Sequence, residues 1–86
     1  VAYAQVDPGD HHDLMRFEWL VGAEGYAHFQ NRVLGVNISM HRYVMDFPVG
    51  LAVDHIRWNR LDNRRAMLRP CTIAENNRNM SYRRPI

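Results

Sequence analysis

The 86 residues suffice for one small domain, residues 1–86, whose core supplies so little net stability that a metal, a partner or DNA is expected to help hold it. No apolar run is long enough to span a bilayer, so no membrane partner is expected; Cys71, the only cysteine, excludes an internal disulfide and any four-cysteine zinc cluster and suits a reducing cytoplasm. The net charge of +2 hides a division: residues 1–56 carry three Arg against seven acids, and residues 57–86 carry eight Arg against Asp62 and Glu75.

The predicted elements follow in chain order. "VAYAQV" alternates and contains β-branched residues, which predicts a strand. In "DPGD", Asp7 can cap a helix, Pro8 suits the first helical position and Asp10 favours the first turn. A helix is therefore expected from Pro8 to about Phe17, with Leu14 and Phe17 facing inward and His11 and His12 exposed. "EWLVGAEGYAHF" predicts two short strands joined through Gly22 to Gly25. "NRVLG" predicts a turn and "VNISM" another strand. "HRYVMDF" fits one or two helical turns stopped before Pro48.

The second half is more pointed. "LAVDHI" predicts a β-branched strand with Asp54 and His55 near its end. "RWNRLDN" is polar and irregular, as a loop would be. "LRPC" predicts a short strand that Pro70 restricts to an edge or a bend. "TIAE" fits a capping box between Thr72 and Glu75, opening a helix from Ile73 to about Met80. The fold class is thus α+β, with an N-terminal strand, helix and strand segment over 1–39 and a strand–loop–strand–helix unit over 40–86. No signal peptide is visible, and the first residue is Val rather than Met, which leaves room for a fragment of a longer protein.

The chemistry of that last unit can be read from residue types. A carboxylate (Asp54) and an amide carbonyl (Asn76, one turn into the capped helix) are hard oxygen ligands that suit Mg²⁺ or Mn²⁺, with water and substrate phosphate filling the other positions. An imidazole beside them can deprotonate water. All eleven basic residues are Arg, whose planar guanidinium binds phosphate in a bidentate way that Lys cannot. Asp54, His55 and Asn76 offer the chemistry of a phosphodiesterase site, and the Arg-rich half that of a nucleic-acid footprint. The bland alternatives stay open: a solvated Arg-rich surface from a GC-rich genome, a strand-end acid facing water, a structural histidine. Trp19 reads as core. Trp58 reads as partly buried loop that can also touch a base or sugar. His41 reads as a structural residue hydrogen-bonded under the core.

The stretch "MHRYVMDFPVGLAVDHIRWNRLDNRRAMLRPCTIAENNRN", Met40 to Asn79, resembles an HNH endonuclease of the phage and mobile-intron kind, through "MHR", "VDHI", "LDNRR", "LR", "T" and "ENNRN". The upstream "YAQVDPGDHHDLMRFEWLVGAEGYAHF" is similar to the segment that often precedes this module. The resemblance implies a ββα-metal fold, a divalent cation (Mg²⁺ or Mn²⁺), and a cytoplasmic setting in a bacterial or phage-infected cell. By position, it makes Asp54 and Asn76 metal ligands and His55 the general base. Arg57, Arg64, Arg65, Arg69 and Arg78 become DNA contacts. The family's usual middle Asn, which orients the imidazole, falls at Met67, and Met offers no comparable hydrogen bond. Asn63 is the nearby candidate for that part. Without it, a slow nuclease is expected, which Met67→Asn should speed. The competing readings are a DNA-binding module of the same fold that no longer cuts, and an Arg-rich domain that docks an acidic protein.

Overall fold

Two small sheets and three helices make up the computed structural model, which describes residues 3–82 and the side chains of 3–78. Val1 and Ala2 of the predicted first strand, and the side chain of Asn79, lie outside the described residues. The rest of that first segment is not a strand: only Gln5 pairs, in one parallel bridge with Asp62. Its N–H donates to the Leu61 carbonyl at 2.7 Å, and its carbonyl accepts from the Asn63 N–H at 2.7 Å. The partner is a loop rather than a strand, so pairing cannot propagate.

Helix α1 spans Pro8–Leu14. It stops short of Phe17 because the chain tightens after Leu14, with Phe17 N–H donating to the Leu14 carbonyl, which the Trp19 indole N–H also takes at 2.8 Å. Leu14 is buried as expected, and His11 and His12 are exposed. Asp7 stands at the N-cap position but makes no side-chain cap bond; its carboxylate accepts instead from the Arg65 N–H at 2.8 Å. Phe17 joins Trp19, Phe29 and Tyr43 in an aromatic cluster with ring centroids 5.1 to 6.3 Å apart.

Strands β1 (Leu20–Val21), β2 (Ala27–Asn31) and β3 (Val36–Ser39) form an antiparallel meander. Gly25 closes the first turn at φ +86° and Gly35 the second at +68°, both in the left-handed region that Gly enters freely. Helix α2, Met40–Val44, follows β3 directly and ends in two left-handed residues, Asp46 and Phe47, with the Phe47 N–H donating back to the Arg42 carbonyl at 2.8 Å.

Strand β4 is Ala52–His55 and β5 is Leu68–Cys71, joined by a loop that ends in a single 3-10 turn over Arg65–Met67. They pair antiparallel with Asp54 opposite Arg69 and His55 opposite Leu68. Pro70 costs nothing here, because a two-stranded ladder leaves an outward N–H on each strand. The capping box forms in both directions: Thr72 Oγ accepts from the Glu75 N–H at 3.1 Å, and Glu75 accepts from the Thr72 N–H at 3.0 Å. Helix α3 then runs Ile73–Tyr82. Both α2 and α3 pack against β4. The core beneath is Leu14, Ala27, Met40, Val44, Val53 and Leu68. No helix among the described residues is long and apolar enough to cross a membrane.

Candidate functional site

Neighbours along a strand project to opposite faces, and the contacts of Asp54 and His55 follow that rule. His55 shares a face with Val53 and meets α2 and the β1–β2 turn. Its ring lies 4.8 Å from that of His41 and 5.6 Å from that of Tyr26, and those two rings are 5.3 Å apart. The Arg60 guanidinium covers Tyr26 at 4.9 Å. Asp54 shares the other face with Arg69, whose guanidinium it holds at 3.1 Å. Cys71 is on this face too, and its thiol is pushed up by burial and then by the Asp54 charge, with Glu75 of α3 acting in the same direction. Asp54 and His55 are each 4% exposed.

The loop reaches back to the imidazole. Asn63, 1% exposed, places its Oδ1 2.9 Å from His55 Nε2. With Oδ1 as acceptor, Nε2 carries the proton and Nδ1 keeps its lone pair. The Asn63 Nδ2 is buried with no hydrogen-bond partner, which leaves an amide donor close to the imidazole. Asn63 is held from behind by the N-terminal segment, through the Gln5 carbonyl on its N–H. The flanking loop is tied down as well. Asp62 grips Arg64 through two bonds of 2.8 and 2.7 Å, and Asp10 grips Arg65 through two of 2.9 and 2.7 Å. These guanidinium groups hold the Asp62 and Asp10 carboxyls below the usual range.

No protein-family model, curated protein or solved structure matches the chain.

The residues singled out in the sequence therefore fall into distinct places. Asp54 and His55 sit at the end of β4, Asn63 bonds to His55, and Asn76 lies on α3, the helix packed against β4. Three of the five arginines expected on DNA are engaged by acids of the chain itself: Arg64 by Asp62, Arg65 by Asp10 and Arg69 by Asp54. Each keeps about half of its side chain exposed, so donors remain for a phosphate. Arg57 and Arg78 are exposed.

His41 differs from the reading as a hydrogen-bonded core residue. Its described contacts are with the rings of Tyr26 and His55. Burial, then the neighbouring His55 and Arg42, push its pKa down to about 4. The sequence offered a signal for His41 in "MHR" but none for Tyr26, which reaches the site only through the β1–β2 turn. His41 and Tyr26 also line a cleft of about 330 Å³ with Gly22, Glu24, His28 and Ser39.

Proposed function

We propose that the chain is a metal-dependent endonuclease that hydrolyses phosphodiester bonds of duplex DNA, built on a ββα-metal unit within residues 40–86. The observation that carries the reading is the 2.9 Å bond from Asn63 to His55, which fixes an imidazole at the end of a strand whose preceding residue is an acid. Such a bond serves a general base: it holds the ring and sets which nitrogen carries the proton.

The donor set fits a hard divalent cation. No group of three or more His, Cys, Asp or Glu among the described residues is placed to hold a metal, so the candidate ligands are Asp54 and the Asn76 amide oxygen, with phosphate and water completing the shell. When bound, Mg²⁺ or Mn²⁺ supplies charge stabilisation at the phosphoryl and leaving oxygens. The protein groups do the rest. His55 accepts the proton of the attacking water, and Asn63 keeps the ring in register. Arg57 and Arg78 hold flanking phosphates, and Arg64, Arg65 and Arg69 assist with donors their acids leave open. Because Asp54 and His55 point to opposite faces, the scissile phosphate must lie across the end of β4. Backbone contacts of this kind position the duplex without reading its sequence.

A second reading is a module of the same fold that binds DNA and no longer cuts. Two observations favour it: His55 is nearly covered, and Met67 stands where the resemblance expects an amide. Plasmid nicking in Mg²⁺, Mn²⁺ and EDTA separates the two. The endonuclease reading expects nicking that EDTA abolishes and that His55→Ala lowers roughly 10²- to 10⁴-fold. DNA binding without any metal-dependent nicking would establish the second reading, and a His55→Ala protein as fast as the parent would sink the assignment of the base.

A further inference from the structure

Arg60 leaves the β4–β5 loop from a tight turn, in which the Asp62 N–H donates to the Asn59 carbonyl at 3.0 Å. Its side chain crosses to the other sheet. The stem runs past Gly25, where an added Cβ would lie 3.6 Å from Arg60 Cδ. Nη1 donates to the Glu24 carbonyl in the β1–β2 turn, and the guanidinium carbon sits 4.9 Å from the centre of the Tyr26 ring. Tyr26 in turn lies against His55 and His41, with ring centres 5.6 and 5.3 Å away. Stability by itself gives no reason for an arginine here. Its Nε–H is buried without a hydrogen-bond partner, which costs free energy that Leu or Met over the same ring would not. What the guanidinium adds is an end tied to a carbonyl and a positive charge over the ring face. It also differs from Arg57, Arg64, Arg65, Arg69 and Arg78, which are exposed, whereas Arg60 is half-buried.

We propose that Arg60 is a positioning residue, which holds the Tyr26 ring against His55 and so fixes the imidazole for proton transfer. The proposal rests on the endonuclease reading for its chemistry. Three residues after Arg60, Asn63 of the same loop holds the His55 ring at Nε2. One loop thus reaches the imidazole twice, directly through an amide and indirectly through an arginine and a tyrosine. The second arm joins the two sheets, because Tyr26 borders the β1–β2–β3 meander and His55 ends a strand of the other sheet. A general base works only at the right distance and angle, and a displacement of about 1 Å costs on the order of 10²-fold in rate.

The test uses Arg60→Met, which keeps an apolar stem, Arg60→Lys, which keeps the charge, and Tyr26→Leu. Histidine ring protons are followed by NMR, melting temperature by circular dichroism, affinity for a fluorescein-labelled duplex by anisotropy in EDTA, and plasmid nicking in Mg²⁺. Arg60→Met should melt close to the parent or above it, bind the duplex as the parent does, and shift the His55 ring protons in the direction that Tyr26→Leu does. Its kcat should fall roughly 10- to 100-fold, and Arg60→Lys should recover most of the loss. Adding Arg60→Met to Tyr26→Leu should cost nothing further, because the two residues act through one contact. An Arg60→Met protein with the parent's His55 signals overturns the proposal. So does one that melts far below the parent, since the guanidinium would then be holding the fold. One that keeps the parent's kcat but binds the duplex more weakly overturns it too, since Arg60 would then be a phosphate contact. A parent that never nicks removes the endonuclease reading alone, and the His55 signals then decide whether Arg60 places the ring.

Discussion

Among the described contacts of His55, the Asn63 amide holds the ring at Nε2, and the Tyr26 and His41 rings pack beside it. This changes what is expected of Met67. Its main chain is engaged at both ends, the N–H on the Arg64 carbonyl at 2.8 Å and the carbonyl accepting from the Ile56 N–H at 3.0 Å. Its side chain is half-buried. Asn63, the nearby candidate of the sequence reading, is hydrogen-bonded to the imidazole. Asn63→Ala should leave the imidazole N–H without its acceptor, cost about 1–3 kcal/mol of stability, and reduce nicking. Met67→Asn should leave the nicking rate unimproved. Rates and melting temperatures of both variants decide the matter; a faster Met67→Asn enzyme would restore the amide at 67 as the missing part.

At the scale of elements, the N-terminal segment acts as a brace for the β4–β5 loop. Gln5 pairs with the backbone of Leu61 and Asn63, Asp7 takes the Arg65 N–H, and Asp10 on α1 takes the Arg65 guanidinium. The twelve-residue loop over 56–67 would otherwise be free to move, and the Asn63–His55 bond would be intermittent. Removing both acids in an Asp7→Ala/Asp10→Ala protein should speed amide hydrogen exchange at Asn63 and Arg65 while α3, held by its capping box, keeps its protection. Nicking should fall with the loosened loop. Unchanged exchange at Asn63 would show that Gln5 alone holds the loop.

For the molecule as a whole, acid should act first through His41. Its folded pKa of about 4 lies below the ordinary 6.5, because burial and the nearby His55 and Arg42 disfavour the cation. A depressed value means that the unfolded chain binds the proton first. The stability is therefore fully present above pH 6.5 and is lost as pH falls from 6.5 toward 4. The loss is on the order of 3 kcal/mol, a large share of what so small a core provides. The carboxyls of Asp10, Asp62 and Glu75 are held low by their partners, so their contribution goes only below about pH 4. Urea unfolding between pH 4 and 7 should show the slope, and His41→Phe should flatten it; a His41→Phe protein with the parent's slope would place the proton elsewhere.

What the sequence determined by itself is local. The capping box, the glycine turns of the β1–β2–β3 meander, the stop before Pro48 and the β4–loop–β5–α3 order all follow from residues within a few positions of one another, whose backbone preferences are decided before any packing. The inward faces of Leu14 and Phe17 were legible for the same reason. The tertiary structure decided everything that depends on distant partners. "VAYAQV" has the pattern of a strand, but Gln5 found a loop to pair with, so a single bridge formed. Asp7 has the chemistry of a helix cap, but the Arg65 N–H, 58 residues away, claimed its carboxylate. Three of the five arginines read as open to phosphate, Arg64, Arg65 and Arg69, were also met by Asp62, Asp10 and Asp54. The meeting of Tyr26, His41 and His55 belongs to no spacing in the chain: a turn of one sheet, a helix and a strand of the other sheet had to fold together, because burying a common core brings those three rings to one place.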